Sequence, residues 1–141
     1  MQSDSSDNDD FEGSVSVLIV DDNEMTRALL RSILSAEGYI VQAEASNSKN
    51  GLEQILRLKP TIVFLDIQLP DGSGVDILKQ VMTDLPKTIA LMVTGMHDVE
   101  TVKTCLGAGA KGFIIKPFNS GVVLKTVKDA LARAGLQPPK V

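Results

Sequence analysis

The 141-residue chain has no tryptophan, one tyrosine, one histidine and one cysteine, and aromatics make up only 4% of it. With Cys105 alone, no intramolecular disulfide and no cysteine cage for a metal can form, which fits a reducing compartment, and Cys105 itself reads as a small core residue. Long apolar runs are missing too. Stretches such as Ile62 to Leu65 and Ile89 to Val93 fall far short of the roughly 20 residues that span a bilayer. The N-terminus lacks the basic and then apolar pattern of a secretory signal, so a soluble cytoplasmic protein is expected, with no membrane partner. Lys and Arg are absent from the first 13 residues, which carry Asp4, Asp7, Asp9, Asp10 and Glu12 and account for the net charge of −4. The remainder is nearly neutral and offers no clustered basic face, so direct nucleic-acid binding is not expected.

The chain is 43% hydrophobic, chiefly Val, Ile, Leu and Ala, which suits one domain with one aliphatic core. The expected division is an acidic, flexible tail over residues 1–13, a folded domain over 14–135 and a short tail over 136–141 that contains Pro138 and Pro139. Five β-branched or apolar runs read as strands: Val15 to Val20, Ile40 to Ala45, Ile62 to Leu65, Ile89 to Val93 and Gly112 to Ile115. Each precedes a stretch with helical spacing, and Gly38, Pro60, Pro86, Gly107 and Gly135 stand near the expected helix ends. Five successive βα units predict a doubly wound α/β fold with a five-stranded parallel sheet and five helices. In such folds chemistry gathers beyond the carboxyl ends of the strands.

Those ends carry Asp21 and Asp22, Asp66, Thr94, and Lys116 followed by Pro117. Singly each has an ordinary explanation: Asp22 or Asn23 can cap a helix, and Lys116 can be a solvated loop lysine. Together, three carboxylates at one edge repel one another and call for a cation. All-oxygen ligands with room for water favour Mg²⁺, while a lysine and a threonine hydroxyl suit phosphoryl oxygens.

The segments LIVDDNEMTR (18–27), VFLDIQLPDGSG (63–74), MVTG (92–95) and GFIIKPF (112–118) resemble the response-regulator receiver domains of two-component signalling. The resemblance extends from Val15 to Ala134. It implies the flavodoxin-like receiver fold, with Asp66 as phosphoacceptor from a histidine kinase or histidine phosphotransfer protein. It further implies Mg²⁺ bound by Asp22, Asp66 and the backbone carbonyl of Gln68, with Asp21 acting mainly through water. Thr94 takes the place of the switch hydroxyl, Lys116 of the phosphate-pairing lysine, Phe113 of a rotating aromatic, and Pro117 of a cis-proline.

A single-domain switch of this kind passes its signal to a downstream protein, with the surface of the fourth helix, fifth strand and fifth helix expected to carry it; Asp98, Glu100, Thr101 and Lys103 are its exposed candidates. Homodimerisation could use the same patch. Gln68 and Met96, each two residues beyond a site residue, flank the expected phosphoryl group, and apolar Met96 is expected to slow hydrolysis by orienting water poorly. His97 reads as a solvated loop residue, and its solitude argues against the chain being its own phosphohistidine donor. The LPDGSG segment lacks the acids of a calcium loop and the Lys of a P-loop, so it reads as a turn leading into the third helix.

Two other classes compete with the switch. A Mg²⁺-dependent aspartyl-phosphate phosphohydrolase would want a second acid two residues after the nucleophile, where this chain has Gln68. A phosphorylation-independent binding module would not need the complete set of Asp21, Asp22, Asp66, Thr94 and Lys116.

Overall fold

The computed structural model describes residues 14–140, so the acidic segment 1–13 and its expected flexibility lie outside the described residues. Strands and helices alternate: β1 (Ser16–Val20), α1 (Glu24–Ala36), β2 (Ile40–Ala45), α2 (Ser48–Leu58), β3 (Ile62–Leu65), α3 (Gly74–Asp84), β4 (Ile89–Thr94), α4 (Val99–Gly107), β5 (Gly112–Ile115) and α5 (Ser120–Arg133). The five strands form one parallel sheet in the order β2-β1-β3-β4-β5. A small antiparallel ladder, Gln68–Leu69 against Gly72–Ser73, sits between β3 and α3. Among the described residues no helix is long and apolar enough to cross a membrane.

Period-two alternation along the strands sends side chains to two cores, one on each face of the sheet. Ile89, Leu91 and Val93 join Leu30, Leu34, Val123, Val127 and Leu131 beneath α1 and α5. Ala90 and Met92 join Ile55, Leu78, Val81 and Cys105 beneath α2, α3 and α4. Strands β3 and β4, covered on both faces, are buried along their whole length, which is why their sequences, up to Thr94 at the end of β4, are apolar instead of alternating. Where α2 crosses β1, a Cβ at Gly51 would lie 2.8 Å from the methyl groups of Val20, so the approach depends on glycine.

Each helix begins on a polar cap that satisfies an otherwise unpaired first-turn N–H group: Asn23, Asn47, Ser73, Asp98 and Asn119. Their ends depart in part from the sequence reading. Gly107 is the last residue of α4 instead of its stop; the turn is made by Gly109 at φ +113°. Helix α2 ends on Lys59 in the left-handed region at φ 49°, just before Pro60. In α1 the residues read at helical spacing are Met25, Leu29, Ile33 and Leu34; the structure buries Leu34 and packs Ile33 against the core, but it leaves Met25 and Leu29 exposed and buries Leu30 in their place. Residues 136–140 follow α5 without regular structure.

Candidate functional site

Parallel strands place their carboxyl ends on one edge, and β1, β3, β4 and β5 deliver Asp21, Asp66, Thr94 and Lys116 to it. Thr94 is the final residue of β4, one position beyond the strand read from sequence; the others follow their strands directly. Asp21, Asp66 and Thr94 are all buried, while Asp22 is exposed. Asn23 caps α1 by accepting from the Thr26 N–H at 2.9 Å, which leaves the Asp22 carboxylate free of that duty. This resolves the ambiguity between the two possible caps.

Lys116 reaches across the edge, its Nζ lying 2.9 Å from Oδ2 of Asp21 and 2.9 Å from Oδ2 of Asp66. Only the bond to Asp66 is directed as a hydrogen bond. Among the described residues no donor is aligned on Asp21 Oδ2, a buried oxygen, although its Oδ1 accepts from the Asn23 N–H at 2.8 Å. Burial raises the Asp21 carboxyl above its ordinary value, Lys116 and the Asn23 N–H oppose that, and the neighbouring Asp66 adds to it. Burial also pulls Lys116 down, but its two carboxylate partners outweigh this and raise it overall.

Ligand oxygens from Asp21, Asp22 and Asp66 lie within 4.8 Å of one another. A hard divalent cation fits these donors: they are all oxygen, an exposed carboxylate leaves a side for water, and the undirected Asp21 oxygen sits in a site with more negative than positive charge. The Gln68 N–H donates to Asp66 Oδ1 at 3.3 Å from the short ladder after β3. That ladder leads to Ser73, the cap of α3, as the turn reading of LPDGSG anticipates. Gly74 is sterically required there, since a Cβ would stand 2.0 Å from the Asp66 carbonyl oxygen.

By strand alternation Thr94 and Phe113 project to the same face of the sheet on adjacent strands, with Met92 paired to Phe113 and Thr94 to Ile115. The Thr94 hydroxyl oxygen accepts from the Met96 N–H at 3.2 Å. Phe113 is half-buried and packs with Met96 against the core under α4. A Cβ at Gly95 would meet nothing within 4 Å, so the space beside Thr94 is open. The Lys116–Pro117 peptide is cis. His97 is exposed, its ring nitrogen at 3.0 Å from the Gly95 carbonyl, and Cys105 is fully buried, its thiol pushed up by burial.

Sequence reasoning gave no role to three groups that shape this edge. Arg27, on α1, donates to the Asp21 carbonyl at 2.7 Å. Glu44, on β2, pairs with that same arginine. Asp71 accepts from the Ser48 and Lys49 N–H groups and so ties the loop after Asp66 to the start of α2. Charge-bearing residues near a motif are a signal for such roles, but only the folded register shows what they touch. An apolar groove bordered by Met25, Leu29, Pro117 and Phe118 runs up to Lys116. A larger groove, lined by Pro86, Leu106, Lys111, Arg133 and Leu136, contains none of the site residues.

Comparison with known proteins agrees with this geometry. The family described as "Response regulator receiver domain" matches residues 17–128. The chain is 37% identical over 111 residues to the chemotaxis protein CheY of Thermotoga maritima, covering 79% of this chain and 92% of that protein. A CheY-like receiver domain from Methanospirillum hungatei superposes with a TM-score of 0.80 at 32% identity, over 86% of this chain and 96% of the other. CheY of Borrelia burgdorferi, solved in a complex with CheX, BeF₃ and Mg²⁺, superposes with a TM-score of 0.79 at 31% identity, over 82% and 87%. By sequence, by fold and by the residues at its strand ends, this chain belongs to the response regulator receiver domains of two-component signalling.

Proposed function

We propose that Asp66 accepts a phosphoryl group from a phosphohistidine on a partner kinase or phosphotransfer protein, in a Mg²⁺-dependent reaction that switches the surface of the domain. The observation that carries this reading is Lys116 bridging Asp21 and Asp66, with a third carboxylate within reach. In the reaction an Asp66 oxygen forms a bond to phosphorus as the bond from phosphorus to the imidazole nitrogen breaks, so the imidazole leaves with the electron pair of that bond. Asp22, Asp66 and the Gln68 carbonyl would hold Mg²⁺, with Asp21 acting through water. When bound, the ion supplies charge neutralisation at the phosphoryl oxygens. Lys116 contributes a fixed positive charge on the other side of Asp66, and Thr94 a hydroxyl whose proton is available to a phosphoryl oxygen. The groove bordered by Met25, Leu29, Pro117 and Phe118 offers an apolar partner a surface beside Lys116.

Once Asp66 is modified, Thr94 moves toward the new oxygens and Phe113 turns into the space it vacates, biasing a two-state surface. Val99, Leu106 and Val122 leave apolar area exposed on α4 and α5, which supports that face as the contact for a downstream protein or a second copy. Support for the ion comes from the Borrelia burgdorferi neighbour, which was solved with BeF₃ and Mg²⁺.

Incubating the chain with acetyl phosphate and Mg²⁺ and measuring intact mass tests the proposal. The expected result is one phosphoryl adduct, abolished by EDTA and absent in Asp66→Asn. No adduct on the wild-type chain overturns the reading in favour of a phosphorylation-independent module, and steady release of phosphate without a lasting adduct overturns it in favour of a phosphohydrolase.

A further inference from the structure

Arg27 is a half-buried cation on the inner side of α1, and both ends of its guanidinium are engaged. Its Nη1 donates to the Asp21 carbonyl oxygen at 2.7 Å, and its Nε lies 3.3 Å from Oε1 of Glu44 on the edge strand β2. The other Glu44 oxygen is taken by the more exposed Arg31. On its amino side, the Asp21 N–H donates to the Ala45 carbonyl at 3.0 Å. The peptide that joins Asp21 to Asp22 is therefore fixed by a side chain from α1 and not by the sheet, because β1 has already ended at Val20. The orientation of that peptide decides where the exposed carboxylate of Asp22 projects.

We infer that Arg27, oriented by Glu44, is a positioning residue that fixes the Asp21–Asp22 peptide and thereby aims the Asp22 carboxylate at the cation site. The inference rests on the reading of Asp21, Asp22 and Asp66 as that site. A planar guanidinium can serve a carbonyl and a carboxylate at once from a rigid fork, which a lysine ammonium on a flexible stem cannot do with the same orientation. Without Arg27 the Asp21 carbonyl loses its donor, and the peptide is free to rotate toward water. Groups that orient metal ligands from behind are worth about 10- to 100-fold in metal affinity.

The test is a Mg²⁺ titration of the full chain followed by backbone amide shifts, paired with urea unfolding in EDTA, on wild type, Arg27→Gln, Glu44→Ala and Arg31→Gln. Arg27→Gln is expected to weaken Mg²⁺ binding about tenfold. Glu44→Ala, which leaves Arg27 in place but releases its Nε, weakens binding in the same direction and carries the test without altering the arginine. Arg31→Gln, which shares Glu44 but does not reach Asp21, keeps wild-type affinity. Wild-type Mg²⁺ affinity in Arg27→Gln and Glu44→Ala overturns the inference even if both unfold at lower urea, because that pattern marks a structural ion pair only. Absence of Mg²⁺ binding by the wild-type chain overturns the metal reading, and this inference with it.

Discussion

Lys116 Nζ stands at the same distance, 2.9 Å, from Oδ2 of Asp66 and from Oδ2 of Asp21, so one ammonium bridges two buried carboxylates and offsets their mutual repulsion. Replacing it by Met leaves those carboxylates facing each other without compensation. At neutral pH and in EDTA, Lys116→Met is expected to lose about 2 kcal/mol of stability, less than for a wholly buried pair because water reaches the lysine. Mg²⁺ then takes over the missing positive charge, so the midpoint of urea unfolding rises more on adding Mg²⁺ in Lys116→Met than in wild type. Equal responses of the two proteins would contradict the shared-charge account.

Gly74 carries a steric prediction. A Cβ there meets the Asp66 carbonyl at 2.0 Å, and the clash is with backbone, which cannot rotate away. Gly74→Ala is expected to cost about 1 to 3 kcal/mol in chemical unfolding and to slow phosphorylation of Asp66 by acetyl phosphate. A fully stable, fully reactive Gly74→Ala would show that the loop yields easily.

Asp71 makes a pH prediction. Hydrogen bonds from the Ser48 and Lys49 N–H groups hold its carboxyl below the ordinary value of 3.8. A carboxyl depressed on folding contributes stability that is present above its unfolded value and is lost as the pH falls through the folded one. Asp71→Asn, which cannot titrate, should therefore have a shallower acid limb than wild type when urea midpoints are compared below about pH 4.

Met96 carries a prediction about how long a phosphoryl group on Asp66 would last. Its side chain packs against the core beside Phe113 while its N–H holds Thr94, and a Cβ at the adjacent Gly95 would meet nothing within 4 Å. Met96→Glu supplies a group that can orient water, and the phosphoryl group on Asp66 is expected to be lost several-fold faster, read from the decay of the mass adduct. An unchanged lifetime would remove Met96 from the account.

Most of the fold could be read in advance because strand ends and polar caps are local signals. The Asp21–Asp22 pair, Asp66 and Lys116 stood out as charges at the ends of apolar runs, and a parallel sheet has only one edge on which to bring them together. The rotation of α1 was not legible, since Met25 and Leu29 satisfy a helical period as well as Leu30 and Leu34 do; packing on β1 and α5 decides between them. Lys59 in its left-handed turn and Arg27 behind Asp21 were hidden as well. Lys59 closes α2 through its own N–H to the Ile55 carbonyl in a conformation that its side chain does not announce, and Arg27 resembles any solvated arginine until β2 brings Glu44 to it.

Helix α4 has one buried residue, Cys105, whereas α3 and α5 have four each. Fastening by a single small side chain makes α4 the segment whose displacement exposes least apolar area, and so the one that moves at the smallest free-energy difference. Native-state hydrogen exchange should find its amides opening well before those of β3 and β4. Asp66 thus stands at the end of a strand buried along its whole length, while the helix that follows the neighbouring strand is held by the fewest buried side chains.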